Sequence, residues 1–198
     1  MNANGKPKIS LLLGYGLQNN NNETNKNEDI VTKIEEHVVD GKISEKEFKG
    51  YFNSYLKTGL IYDTRDNEPA PNRGVWSSVL VEGYSKIAGS ETNFARITLT
   101  DRRYFTLFRN VVYANRVLYE KLVGDVPFSM MYPFGGSVKA DEGIGGYRTI
   151  RGQLKNRWLG DEKIFVNMEL RYRFYDFSFL NQDFYLALNG FFDFGRVW

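Results

Sequence analysis

The nine residues VNMELRYRF at positions 166–174 alternate without a break. Asn167, Glu169, Arg171 and Arg173 fall on one side; Val166, Met168, Leu170, Tyr172 and Phe174 fall on the other. Successive side chains of an extended chain point to opposite sides, so a period of two over this length dictates a strand with one polar and one apolar face. The run FYLALNGFFDF at 184–194 repeats the pattern. Phe184, Leu186, Leu188, Phe192 and Phe194 share one face, and Asn189 and Asp193 lie opposite with Tyr185, Ala187 and Phe191.

Weaker copies precede these two, at 9–17, 58–65, 75–84, 94–108 and 111–122. The whole chain thus yields about seven strands, several of them longer than the five or six residues usual in globular sheets. Tilted strands of about 9–11 residues are what a bilayer requires. The polar faces carry both signs at close spacing: Asp63, Arg65, Glu169, Arg171, Arg173 and Asp193. Such a face suits the wet lumen of a membrane barrel whose apolar face meets lipid, and periodicity alone leaves open a soluble β-sandwich with the same charges in water. The sandwich predicts that the Leu170, Tyr172 and Phe174 face is buried in protein. The two long connections, 17–58 and 122–166, both fall at odd-numbered positions along the chain. They therefore lie at one end of the sheet, which for a barrel is the external end.

Composition narrows the function. Of 198 residues, 26 are Lys or Arg and 24 are Asp or Glu, so the net charge of +2 gives no footprint for nucleic acid. No cysteine is present, which excludes disulfides and thiolate metal sites. The one histidine, His37, lies in the polar run KIEEHVV and reads as a solvated residue rather than a catalytic imidazole. Aromatic residues make up 16% and glycines number 19, a balance that favours β-structure. No apolar run is long enough for a transmembrane helix.

Four motifs carry a family likeness. LIYDTRDN at 60–67 with PNRG at 71–74 resembles the "YDTRDN…P…G" hairpin of the BamA/TamA family of outer-membrane β-barrels, the bacterial surface antigen family. GGYRTIRG at 145–152 resembles the Gly-rich, Arg-Gly tip of that family's long inward-folding loop. NMELR at 167–171 resembles the strand that follows the loop, and GFFDFGRVW at 190–198 the next strand, with its Phe-x-Asp-x-Gly signature. The motifs occur in the family's order from residue 60 to residue 198; before residue 60 only a plausible preceding strand matches.

The resemblance implies an all-β fold: a partial antiparallel transmembrane β-barrel spanning 1–198, with a long inward-folding loop at 123–165. A family barrel closes with about sixteen strands, an even number as bacterial barrels require. The expectation is therefore a piece of a longer protein, which also accounts for a start (MNANGKPKIS) without an apolar signal-peptide stretch. The implied function is insertion and assembly of outer-membrane proteins, or translocation of proteins. The implied location is the bacterial outer membrane. The partners are its lipid, unfolded or secreted client proteins and periplasmic accessory proteins. An alternative is a barrel that anchors or exports a fused upstream domain such as a patatin-like lipase. No Gly-x-Ser-x-Gly element occurs in this chain, and neither enzymatic activity nor a cofactor is expected.

By the same resemblance Arg151 is the loop arginine that reaches the lumen and Asp193 its main acceptor on the wall. Glu169 is a second acid on the adjoining strand. Both acids fall on the polar set read from the alternation, and neighbouring strands lie ~4.8 Å apart, so the two carboxylates can flank one guanidinium. The planar fork of arginine suits bidentate carboxylates. Gly145, Gly146 and Gly152 let the loop bend towards the wall, with Ile150 beside them in the motif. One departure concerns packing of the tip: Gln153 stands where the family carries an aromatic residue. The plainer reading is that Arg151, Glu169 and Asp193 are ordinary lumen charges.

Two other motifs invite chemistry and are set aside. GIGGYRT at 143–149 lacks the third glycine of a dinucleotide fingerprint and the Lys-Ser/Thr of a P-loop. DGKISEKEF at 40–48 resembles the second half of a calcium-binding EF-hand loop, with Asp40, Gly41, Ser44 and Glu47 in ligand or turn positions. Glu36 and Val38 stand at the first and third positions, so the favoured reading is a helical turn in which Ser44 caps and Glu47 completes a capping box. With the Asn-rich run at 19–22 as linker, residues 29–56 are expected to form a small helical insertion in an external loop.

Overall fold

A computed structural model describes residues 7–20, 50–137, 140 and 142–198. They form one seven-stranded antiparallel sheet in which every strand pairs with its neighbours in sequence. The strands are β1 (Lys8–Asn20), β2 (Tyr51–Asp63), β3 (Gly74–Tyr84), β4 (Phe94–Phe108), β5 (Val111–Gly124), β6 (Glu162–Phe179) and β7 (Gln182–Val197). At one end the connections include two-residue turns. Arg109 and Asn110 join β4 to β5, and Leu180 and Asn181 join β6 to β7. Leu180 and Asn181 both adopt positive φ, as the tight hairpins that follow strand twist require. At the other end the chain passes from β1 to β2, from β3 to β4 through 85–93, and from β5 to β6.

Two expectations on extent are corrected. Residues 51–56, expected within a helical insertion, are the first part of β2, paired with β1 from Tyr51↔Asn20 onward. The rest of the expected insertion, with the Asp40–Glu47 calcium question, lies outside the described residues. The connection expected between 174 and 184 is mostly strand, because β6 and β7 run on to the pair Phe179↔Gln182 past a bulge at Arg173/Tyr175. Among the described residues no helix is long and apolar enough to cross a membrane, a fact that says nothing of crossing by strands.

The two faces of the sheet differ as the alternation requires. Leu11, Leu13, Leu56, Leu60, Val79, Leu99, Leu170, Tyr172, Leu188 and Phe192 stand exposed on one face. Leu170, Tyr172 and Phe174 remain 45–48% exposed, which removes the soluble sandwich, since no second sheet covers them among the described residues. A small polar spot interrupts this face, where Asp101 accepts from Ser77 Oγ at 2.6 Å and from Arg103 Nε at 2.8 Å.

The other face is covered by the described residues of the segment 125–161, and the core lies between them. One cluster joins Tyr51, Tyr84, Phe94 and Leu122 of the sheet to Met130. A second joins Leu118 and Phe165 to Phe134 and Ile144. Phe134 is fully buried and meets Phe165 edge-on at 5.2 Å. Burying such a side chain contributes about 2–3 kcal/mol, so the loop is packed as firmly as an element of the sheet.

Candidate functional site: a loop arginine gripped by the barrel wall

The loop folds back on itself before it meets the wall. An isolated bridge pairs Ile144 with Trp158, and Gly143 N–H donates to Asn156 Oδ1 at 2.9 Å. Thr149 Oγ1 donates to the carbonyls of Gly143 and Gly145 at 2.9 and 3.1 Å. The turn is possible only with glycine at its corner. Gly145 has φ +102°, and an added Cβ would stand 2.0 Å from the Leu154 carbonyl oxygen. Gly146 and Gly152 also take positive φ. Gln153, in place of the aromatic residue, accepts at its backbone carbonyl from Gly146 N–H at 3.1 Å. Apolar packing of the tip falls instead to Ile150, which lies against the second core cluster and over Gly195.

This tip delivers Arg151 to β6 and β7. Arg151 donates to Asp193 from its backbone N–H (3.0 Å), Nε (2.8 Å) and Nη2 (2.6 Å). Its Nη1 donates to Glu169 Oε1 at 2.7 Å. The guanidinium also lies 3.7 Å from the centre of the Phe191 ring. Strand register explains the convergence: Asn167 pairs with Asp193, and Glu169 pairs with Phe191 one step along the same face. Asn167 Nδ2 donates to Asp193 Oδ1 at 2.8 Å and to the Thr149 carbonyl, so it ties wall to tip. Hydrogen bonding to Asp193 raises the Arg151 pKa above its ordinary value; burial opposes this and Glu169 adds to it. The arrangement binds and orients. The sequence reading paired Arg151 with both acids, which the structure brings together; it missed Asn167 and Phe191 as partners.

A larger set was missed altogether. Lys57 (β2), Glu82 (β3), Arg96 (β4), Glu120 (β5) and Lys163 (β6) form a row of alternating charge across five neighbouring strands. Lys57 and Glu82 are register partners at 2.8 Å, as are Glu120 and Lys163 at 2.9 Å. Arg96 stands between them, 3.7 Å from Glu82 and 3.9 Å from Glu120. Glu120 and Lys163 are 0% exposed. Each cation also holds the backbone of the loop's first limb. Lys57 donates to the Gly136 carbonyl (2.7 Å), Arg96 to that of Met130 (2.9 Å), and Lys163 to those of Met131 (2.7 Å) and Pro133 (3.0 Å). Glu120 accepts from Gly135 N–H at 2.6 Å and Thr98 Oγ1 at 2.9 Å. Removing one member of so buried a set costs about 3–5 kcal/mol, because its partner is left charged and dry.

The YDTRDN hairpin also has a structural basis. Arg65 clasps Asp63 through Nε (3.0 Å) and Nη2 (2.8 Å), which raises the Arg65 pKa. Thr64 and Val75 exchange bonds, and Asp66 Oδ1 accepts from the N–H groups of Asn67, Asn72 and Arg73. Among the described residues no group of three or more His, Cys, Asp or Glu side chains is placed to hold a metal ion.

A family model described as the Omp85 superfamily domain matches residues 2–198. No curated protein matches the chain. The sheet, its exposed apolar face and the loop arginine held by acids on the opposite face accord with that match, and the chain belongs to the Omp85 superfamily, a family of β-barrel proteins of the outer membrane that insert or transport proteins.

Proposed function

We propose that this chain forms part of an outer-membrane barrel that inserts client proteins into the membrane or passes them across it, with Arg151 as the latch that sets the conformation of the lumen. The single observation that supports this reading most is the grip on Arg151: three donors to Asp193, a fourth to Glu169 and the Phe191 ring beneath. So many directed contacts on one side chain fix a loop in one position, and fixing a loop inside a pore decides what the pore admits. The exposed apolar face would meet lipid, and the short turns would face the periplasm as short turns do in such barrels.

The test is reconstitution of the full-length protein in lipid vesicles, with insertion of an unfolded β-barrel client and passage of an unfolded secreted client followed side by side. Arg151→Ala is expected to impair whichever activity the wild type shows and to expose the tip to protease. An Arg151→Ala protein with full activity and a protected tip would remove the latch role.

A further inference from the structure

We propose that the charged row divides the loop into a fixed stem and a releasable tip, and that Glu120 and Lys163 are the positioning residues that set this division. The inference rests on the latch reading of Arg151 and adds where the loop bends.

The two attachments differ in kind. The stem, residues 130–136, is held through its backbone. Its carbonyls and one N–H are the groups that Lys57, Arg96, Glu120 and Lys163 engage. Met130 and Phe134 are buried with them. Backbone groups are present whatever side chains the stem carries, and freeing them would leave several buried charges unsatisfied together. The tip is held through side chains: Arg151, with 22% of its surface open, Asn167 on the Thr149 carbonyl, and Ile150. Its neighbours Tyr147, Leu154 and Trp158 are exposed. Opening the tip breaks the Arg151 contacts, the Asn167 bond to the Thr149 carbonyl and the packing of Ile150, all of them on the few residues around β6 and β7. Opening the stem breaks contacts with charged residues of four strands.

Gly135 marks the tightest contact between stem and sheet. A Cβ there would stand 2.5 Å from Thr98 Oγ1, so no side chain separates stem from wall. The lever carrying Arg151 then starts beyond Ile144, which stays in the core beside Phe134, and residues 145–157 move about a stem that stays in place.

Hydrogen–deuterium exchange of the full-length protein in lipid nanodiscs tests this without any client. Arg151→Ala is expected to speed exchange at 145–157 by about tenfold or more, with 130–136 unchanged. Glu120→Gln combined with Lys163→Met is expected to speed exchange in both segments. Equal acceleration of stem and tip by Arg151→Ala would overturn the proposal, as would a stem still protected in the double variant. Should the double variant fail to fold, the pair Thr98→Cys with Gly135→Cys decides: these 198 residues hold no cysteine, and with any cysteine elsewhere in the full-length protein replaced by serine, oxidation ties stem to wall alone. The tip of an Arg151→Ala protein must then open as fast with the disulfide as without it; suppression by the disulfide would show that the loop moves as one body. Exchange reads loop motion whether or not the client assay succeeds, so failure of the functional reading is seen separately.

Discussion

Arg151 and Asp193 are joined by three hydrogen bonds, one from the arginine's backbone and two from its side chain, and both carboxylate oxygens are used. Lysine can reproduce the charge at 151 but not the fork. Arg151→Lys should therefore lose two side-chain bonds to Asp193 or the one to Glu169, at a cost of about 1–3 kcal/mol in latch stability. Asp193→Asn should cost as much, because its amide would turn a donor towards either Arg151 or Asn167. Limited proteolysis of the tip in the full-length membrane protein measures both, and protection equal to wild type in Arg151→Lys would show that charge alone suffices.

Glu169 is a lesser partner. Its Oε1 takes one Arg151 bond, while Oε2 serves Arg171 at 2.7 and 2.9 Å. Arg171 is 41% exposed, and such a half-open pair is worth about 0–1 kcal/mol. Glu169→Gln is expected to raise tip cleavage less than Asp193→Asn does. The reverse order would mean that Glu169 is the main anchor.

Parts of this architecture were legible in the sequence because they are written locally. Residues 166–174 alternate charge with apolar bulk, so the strand and its two faces follow directly; that the Glu169 face points inward does not, since the alternation fits a soluble sandwich as well. Arg151 and Asp193 were legible through motifs. The start of β2 was not. Tyr51 and Tyr55 point towards the loop and Phe52 and Leu56 away from it, so aromatic or apolar bulk stands on both faces and the period of two is blurred. Tyr51 is apolar on the lumen side because it packs under Met130, a residue far along the chain. The row from Lys57 to Lys163 was hidden for a related reason. Each member looks like one more lumen charge on its own strand. Only cross-strand register and the path of the stem bring them together, and neither is encoded within a single strand.

The raised pKa of Arg151 carries a prediction about pH. A group whose folded pKa is raised contributes stability that is fully present below its unfolded value and is lost only as pH rises through the folded one. For arginine the unfolded value already lies well above any pH at which the protein is handled. The arginine side of the latch should thus be constant from neutral pH to about pH 10. Tip protection measured by brief proteolysis across that range should stay flat once the protease's own pH dependence is subtracted. A fall within it would show that some other titrating group governs the latch.

Gly195 gives a steric test of the tip that leaves every charge in place. It belongs to β7 two residues past Asp193, and a Cβ there would stand 2.3 Å from Ile150 Cδ1. Gly195→Val puts branched bulk where Ile150 packs. The sheet has no need of glycine at this position, since Gly195 pairs regularly with Phe165 and takes no left-handed conformation. The barrel should therefore fold, while Ile150 is pushed off the wall and carries Arg151 with it. Overpacking of this kind costs about 1–3 kcal/mol. The expected result is a heat-resistant barrel by gel mobility with a protease-sensitive tip, and Ile150→Ala in the same protein should restore much of the protection by making room. A protected tip in Gly195→Val would mean that Arg151 holds its acids without Ile150, and a rescue failure would mean that the valine disturbs the strand itself.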